Sequence, residues 1–248
     1  MAVPRKRAEI LIAAALRNAA FSALDRYMTV GDVTPSDITA AQLARVLSRI
    51  WRMSIKSEGR KVMRAINDLQ LKQAEDDLWR QFVEEYIRLY GGQAIADILD
   101  TTRKQIIEAV QKGLADGKGV DQIAKEVREA LPGMTRLRSA IIARTETHSA
   151  AQFASLETAK RSRFPLVKVW NSVVDPRTRD FGEGDGKADQ ANHRAMNGVT
   201  VPLSEPFMVP NKWGGFDPLH FCGDPAAPAY QIVNCRCSLS YKRAARIS

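Results

Sequence analysis

A chain of 248 residues with 45% hydrophobic side chains can bury one large core or two modest ones, which excludes global disorder. Its formal net charge is +9, and most of the excess lies before residue 166. That balance permits a polyanionic partner such as nucleic acid without requiring one. No apolar run reaches bilayer length: the best candidate, around Ile10 to Ala15, is interrupted by Arg17 and Asn18 and continues as an amphipathic helix, not an export signal.

Helical periodicity extends from Arg5 to about Lys160. Val3-Pro4 opens a helix that runs to about Tyr27. Residues 31–35 form a break, with Thr34, Ser36 or Asp37 as the cap of the next helix. A second helical region spans about 36–90, kinked or divided near Gly59 and ended by Gly91-Gly92. A helix over about 93–112, a turn at 116–119 and a short helix over 120–131 come next, the last closed by Pro132-Gly133. The final long helix covers about 134–161 and stops at Phe164-Pro165.

Arg45, Arg49, Arg52, Lys56, Arg60 and Arg64 recur every three or four residues, which places them on one face of the second helical region. Like charges at this spacing repel by a few tenths of a kcal/mol per pair. The face is either a solvated basic surface or one that meets DNA or an acidic protein. Leu78, Trp79, Phe82, Tyr86 and Leu89 also share a face and fit core packing, with a partner interface as the alternative. Arg138, Arg144, Glu146 and His148 on the last helix read as surface or structural polar groups.

After Pro165 the pattern changes to short strands and loops. Residues 166–170 alternate as a strand, 175–179 form a turn, and 181–191 form a loop rich in Gly and Asp. A helical turn at 192–198, strand pieces at 199–203 and 206–209, a loop at 212–228 and a closing strand at 230–241 complete the chain. The fold class expected is α+β: a long helical N-terminal region, then a small α+β domain with a short antiparallel sheet.

Two kinds of chemistry are open to this part. Asp175, Arg177, Arg179 and His193 could converge to bind a phosphate and move a proton, or form a polar network that holds loops on the sheet. The chain has no Gly-rich phosphate loop, serine-hydrolase signature or H-E-x-x-H, so no catalytic role is expected. Cys222, Cys235, Cys237, His220 and His193 are the possible metal ligands. A C-x-C pair with scattered partners lacks the paired knuckles of a structural zinc site, so no metal or cofactor is expected. Three cysteines are an odd number, which argues against a disulfide framework and fits a reducing compartment. The remaining reading makes Cys235 and Cys237 small buried residues on the inner face of the last strand, with Arg236 facing outward or pairing with Asp175.

Several pieces stand in a fixed order: Ala143-Arg144-Thr145-Glu146, Trp170, Asp175-Pro176-Arg177-Thr178-Arg179, His193-Arg194-Ala195-Met196-Asn197-Gly198, Gly223-Asp224-Pro225 and Asn234-Cys235-Arg236-Cys237. In this, residues 120–241 resemble the phage minor head proteins, the Mu F-like head morphogenesis family of tailed phages. The chain departs from the family pattern in an insert at 181–190 and in Cys222, where the family more often has proline. The resemblance implies a virion structural protein and not an enzyme. It would bind the portal protein at the vertex inside the head, with scaffold or major capsid protein and packaged double-stranded DNA as further partners, and no membrane. It would aid procapsid assembly, DNA packaging or DNA delivery. Residues 1–118 would be the helical portal- or DNA-contacting region and 119–248 the morphogenesis domain. The rival reading is a toxin-like nuclease or transferase that uses the C-terminal module. On this resemblance Asn234-Cys235-Arg236-Cys237 is the closing strand of the domain, with both thiols facing its core.

Overall fold

The computed structural model describes residues 5–30, 37–66, 75–184 and 186–244; for 5, 27, 28, 30, 37–39, 120 and 131–134 it describes the backbone alone. The expected start at Val3-Pro4, the break at 31–35 with Thr34 and Ser36, and residues 67–74 of the second helical region lie outside the described residues. The fold is α+β. Helices α1 (Arg5–Val30), α2 (Asp37–Ile66), α3 (Glu75–Tyr86), α4 (Gly92–Ala115) and α5 (Val120–Lys160) precede the strands.

Two expected helix ends are not ends. Gly91 keeps a right-handed conformation (φ −62°, ψ −41°), so the left-handed residue that closes a helix is missing. A π-turn over Ile87–Gly91 instead carries α3 directly into α4. Pro132-Gly133 lies inside α5. An interior proline costs about 3 kcal/mol. Burial of Ile123, Ala124 and Val127 before it, and of Ile142 and Ala143 after it, offsets that cost.

The chain forms two compact units, each assembled from separated segments. The first takes in Val3–Ile50 and Ile87–Arg144. Its core joins Ala20, Ala23 and Leu24 of α1 to Ile106 and Val110 of α4 and to Ile123, Ala124 and Val127 of α5. Arg138 is half-buried here and donates to the Thr102 hydroxyl at 2.7 Å and the Ile98 carbonyl at 3.1 Å, so its role is structural.

The second unit takes in Trp51–Tyr86 and Thr145–Ser248. An aromatic series runs through it: Trp51 meets Tyr86 at 5.5 Å, Tyr86 meets Phe153 at 5.3 Å, and Phe153 meets Phe221 at 6.0 Å between ring centroids. Leu78, Trp79, Phe82 and Tyr86 are therefore core, whereas Leu89 is exposed. Gly59 does not divide α2. It faces Trp79, whose ring occupies the space a Cβ would need.

Strand β1 (Leu166–Asn171) is the centre of a three-stranded antiparallel sheet, between β2 (Thr200–Pro202) and β5 (Ser238–Arg243). Trp170 is opposite Leu239, and Lys168 is opposite both Val201 and Tyr241. Strands β3 (Phe207–Pro210) and β4 (Phe216–Leu219) form a separate antiparallel pair. Strand β4 falls where a loop was expected. The closing strand is shorter than its apolar pattern suggests: Ala229–Ile232 is a helical turn, α6, and Asn234 is left-handed at φ 59°. Asn234-Cys235-Arg236-Cys237 is thus a turn leading into β5, not part of the strand. Asparagine tolerates this conformation better than other non-glycine residues.

Candidate functional site

The turn before β5 is where the separated sequence pieces meet. From α5, the Thr145 hydroxyl accepts the Asn234 N–H at 3.1 Å, and the Gln152 side-chain oxygen accepts the Leu239 N–H at 2.9 Å. From the 175–179 turn, Asp175 takes two hydrogen bonds from the Arg236 guanidinium at 2.5 and 2.6 Å and one from the Arg177 N–H at 2.9 Å. The Arg236 guanidinium holds the Asp175 carboxyl well below the usual carboxylate range. Arg179 donates to the Val233 carbonyl and so fixes the same turn from another side.

His193 comes in beneath this turn. The Arg179 carbonyl accepts the N–H groups of both His193 and Arg194, at 2.9 and 3.0 Å. The insert therefore loops out and returns, closed by a bridge between Phe181 and Ala188, without separating His193 from the arginine turn. The Asp180 carboxylate ties the loop down: it accepts the Gly182 and Glu183 N–H groups and the Arg194 side chain. The ring of His193 is 1% exposed and meets Trp170 edge-on at 5.3 Å.

Hydrogen bonding fixes the state of that ring. Gln231 donates its amide N–H to Asp217 at 2.7 Å, which turns its side-chain oxygen toward His193 Nε2 at 2.8 Å. A flipped amide would set oxygen against carboxylate. His193 Nε2 therefore carries a proton and donates it to Gln231, which turns Nδ1 toward the thiols. Nδ1 lies 3.6 Å from Cys237 Sγ and 3.7 Å from Cys235 Sγ, both buried. Within the thiol pair, Cys237 accepts from Cys235 and is pushed down, while Cys235 is pushed up. Burial also holds His148, in α5, neutral, pulling its pKa down to about 4. Its Nε2 is buried with no hydrogen-bond partner among the described residues.

These contacts re-sort the residues singled out from the sequence. Asp175 and Arg179, both half-buried, and the buried His193 gather at this turn, while Arg177 is exposed and pairs with Asp175 at 3.0 Å. His220 is exposed; its backbone N–H donates to Asp224 and its carbonyl accepts from Lys168, so it stands apart from the thiols. Cys222 is buried in the same core as Cys235 and Cys237 without joining their cluster with His193. Gly198, left-handed at φ 83°, gives its N–H to the Trp170 carbonyl at 2.8 Å. Gln231 and Asp217 carry no signal of their role in the sequence. They sit in stretches with the pattern of plain strand or loop, and neither period nor motif marks them.

The family model described as Phage Mu protein F like protein matches residues 104–240, more than half of the chain. The chain belongs to the Phage Mu protein F like family. The match contains α5, the sheets and the whole buried centre. Neither a curated protein nor a solved structure matches significantly. Membership in the Mu F like family supports a role in phage head morphogenesis and a place in the virion. Among the described residues, no helix is long and apolar enough to cross a membrane.

The basic face of α2 in this Mu F like protein is not uniform. Arg45, Arg49, Arg52 and Arg64 are exposed. Lys56 pairs with Asp76 at 3.2 Å and Arg60 pairs with Glu75, both acids in the first turn of α3. Part of the acidic partner that the spacing asks for is therefore supplied by the chain itself. Lys56, Arg60, Lys61 and Arg64 also line a shallow surface cleft with Met53 and Ser57.

Proposed function

We propose that this protein is a minor head protein that binds the portal vertex inside the phage head and aids procapsid assembly, DNA packaging or DNA delivery. Residues 1–118 are the portal- or DNA-contacting region in this reading, and 119–248 are the morphogenesis domain. Scaffold or major capsid protein and packaged double-stranded DNA are the further partners. The observation that carries it is the family match over residues 104–240, which includes the ordered pieces at the buried centre. The exposed Arg45, Arg49, Arg52 and Arg64 support contact with DNA, since releasing counterions favours binding at such residues. Co-expression with the portal protein of the same phage tests the reading directly. Co-purification, and defective heads from a deletion phage, are expected; fully normal infectious heads without this protein would overturn it.

The nuclease or transferase reading draws no support from the geometry. His193 is 1% exposed, with one ring nitrogen committed to Gln231 and the other to the two thiols. A general base needs to reach its substrate. Arg177 and His193 do not face a common surface, because one is exposed and the other is interior.

A further inference from the structure

We propose that His193 Nδ1, Cys235 Sγ and Cys237 Sγ bind one zinc ion, which staples the turn before β5 to the 192–198 turn. The inference goes beyond the head-protein role and does not depend on it. The three donor atoms lie within 4.8 Å of one another, and all three residues are buried. A tetrahedral zinc with bonds of about 2.3 Å to sulfur and about 2.0 Å to nitrogen has N···S edges of about 3.5 Å. The observed Nδ1···Sγ distances, 3.6 and 3.7 Å, are those edges to within about 0.2 Å.

The surroundings match what a ligating histidine requires. A metal-bound imidazole donates its other N–H to a fixed acceptor, which sets the tautomer and aims the lone pair. Here the acceptor is the Gln231 side-chain oxygen, itself oriented by Asp217, and Asp217 is held by Tyr230 at 2.7 Å and Asn211 at 3.2 Å. The relay leaves Nδ1 turned toward two sulfurs, as a ligand nitrogen is when its other N–H is anchored. A borderline-soft cation bound by two thiolates and one imidazole satisfies all three donors at once. Three protein ligands leave one vertex of the tetrahedron for a water.

The C-x-C spacing suits this arrangement because it is not in a strand. The left-handed Asn234 turns the chain so that Cys235 and Cys237 both present sulfur to His193. Arg236 between them points away and is anchored by Asp175. One charged clamp and one thiol pair thus hold successive residues of a single turn from opposite sides.

The test uses the full chain, purified under reducing conditions through a tag without histidine. Elemental analysis should find close to one zinc per chain. The protein stripped by chelator and given Co²⁺ should develop the sulfur-to-cobalt charge-transfer and intense visible bands of a tetrahedral thiolate site. Cys222→Ala should keep one zinc, and the Cys235→Ser/Cys237→Ser double variant should lose it. Less than about 0.1 zinc per chain, together with no thiolate–cobalt bands in the wild type, would overturn the proposal. So would a Cys235–Cys237 disulfide in the protein as purified, or Co²⁺ binding without charge transfer. The cobalt spectrum is read on the wild-type chain, so it decides the matter even if the double variant does not fold.

Discussion

Gly59→Ala is the sharpest test of how the second unit is packed. A Cβ on residue 59 would lie 2.1 Å from Cζ3 and 2.5 Å from Cη2 of Trp79. Carbon atoms in contact normally sit about 3.5–4.0 Å apart, so the indole would have to move by more than about 1 Å. It has little freedom to do so. Trp79 is 3% exposed, meets Phe82 edge-on at 5.8 Å, and donates its indole N–H to Glu75 at 3.1 Å. Overpacking costs about 1–3 kcal/mol, and an approach of 2.1 Å to a fixed ring belongs in the upper part of that range, about 2–3 kcal/mol, of which alanine returns about 1 kcal/mol as helix propensity. The net loss is about 1–2 kcal/mol, which at this chain length lowers Tm by about 2–8 °C. The cost is specific to the pair. In a Trp79→Ala background, which itself loses about 3–5 kcal/mol, the new methyl has room. There Gly59→Ala should be neutral or stabilising by up to about 1 kcal/mol. Urea unfolding of the four proteins of this cycle, followed by circular dichroism, measures the coupling. A neutral or stabilising Gly59→Ala in the wild type, or an equal cost in both backgrounds, would refute the packing argument.

Three further outcomes are expected from the same geometry. Neutralising Arg45, Arg49, Arg52 and Arg64 to Gln should weaken binding to duplex DNA and flatten the salt dependence, with log K losing up to about 0.9 of slope for each phosphate contact removed. Lys56 and Arg60 are left intact because they hold α3, and unchanged binding would remove the basic face from the DNA reading. Asp175→Asn should destabilise the fold by releasing Arg236. Because Arg236 lowers the folded-state pKa of Asp175, the wild type's advantage is complete above about pH 4 and shrinks as the pH falls below that; an advantage that does not change down to pH 2.5 would contradict the ion pair. Lys168 is buried against the His220 carbonyl, and burial pulls its pKa down from 10.5 to about 8. The unfolded chain then binds more protons between about pH 8 and 10.5, so the wild type should gain stability relative to Lys168→Met across that window and not below it; a flat difference between the two proteins would show Lys168 to be solvated.

The helical part was legible in the sequence because its signal is periodic. Trp79, Phe82 and Tyr86 mark a buried face at helical spacing, and in the structure Trp79 meets Phe82, Phe82 and Tyr86 meet Phe153, and Tyr86 meets Trp51, all edge-on. Breaker residues misled where burial outweighed them, as at Gly91 and Pro132. A glycine permits a left-handed turn without imposing one, and a proline removes only one helical bond. Ile232 and Val233 carried a strand-like apolar pattern, but Ala229–Ile232 form a helical turn, from which Gln231 reaches His193. No local pattern could show this, since Gln231 and His193 are 38 residues apart. The same limit hid Asp217, which orients the glutamine from a different strand pair.

The buried centre also explains why residue types alone gave two opposite readings of one set. Asp175, two arginines and His193 are what a phosphate-cleaving site would use, and they are equally what a tightly turned C-terminal segment needs. The distinction lies in where the unsatisfied valence points. In a catalytic site the carboxylate and the imidazole keep a lone pair or a proton directed at a space that substrate can enter. Here Asp175 spends both oxygens on Arg236, and Nε2 of His193 is spent on Gln231. What remains is Nδ1, enclosed with two sulfurs and no open route to a substrate. A ring nitrogen set in that company is suited to holding an ion and poorly placed to take a proton from a polymer. The polar residues that gave the sequence an enzyme-like look therefore fit a role in fixing one turn, and the surfaces that recognise head components are to be sought among exposed residues outside it.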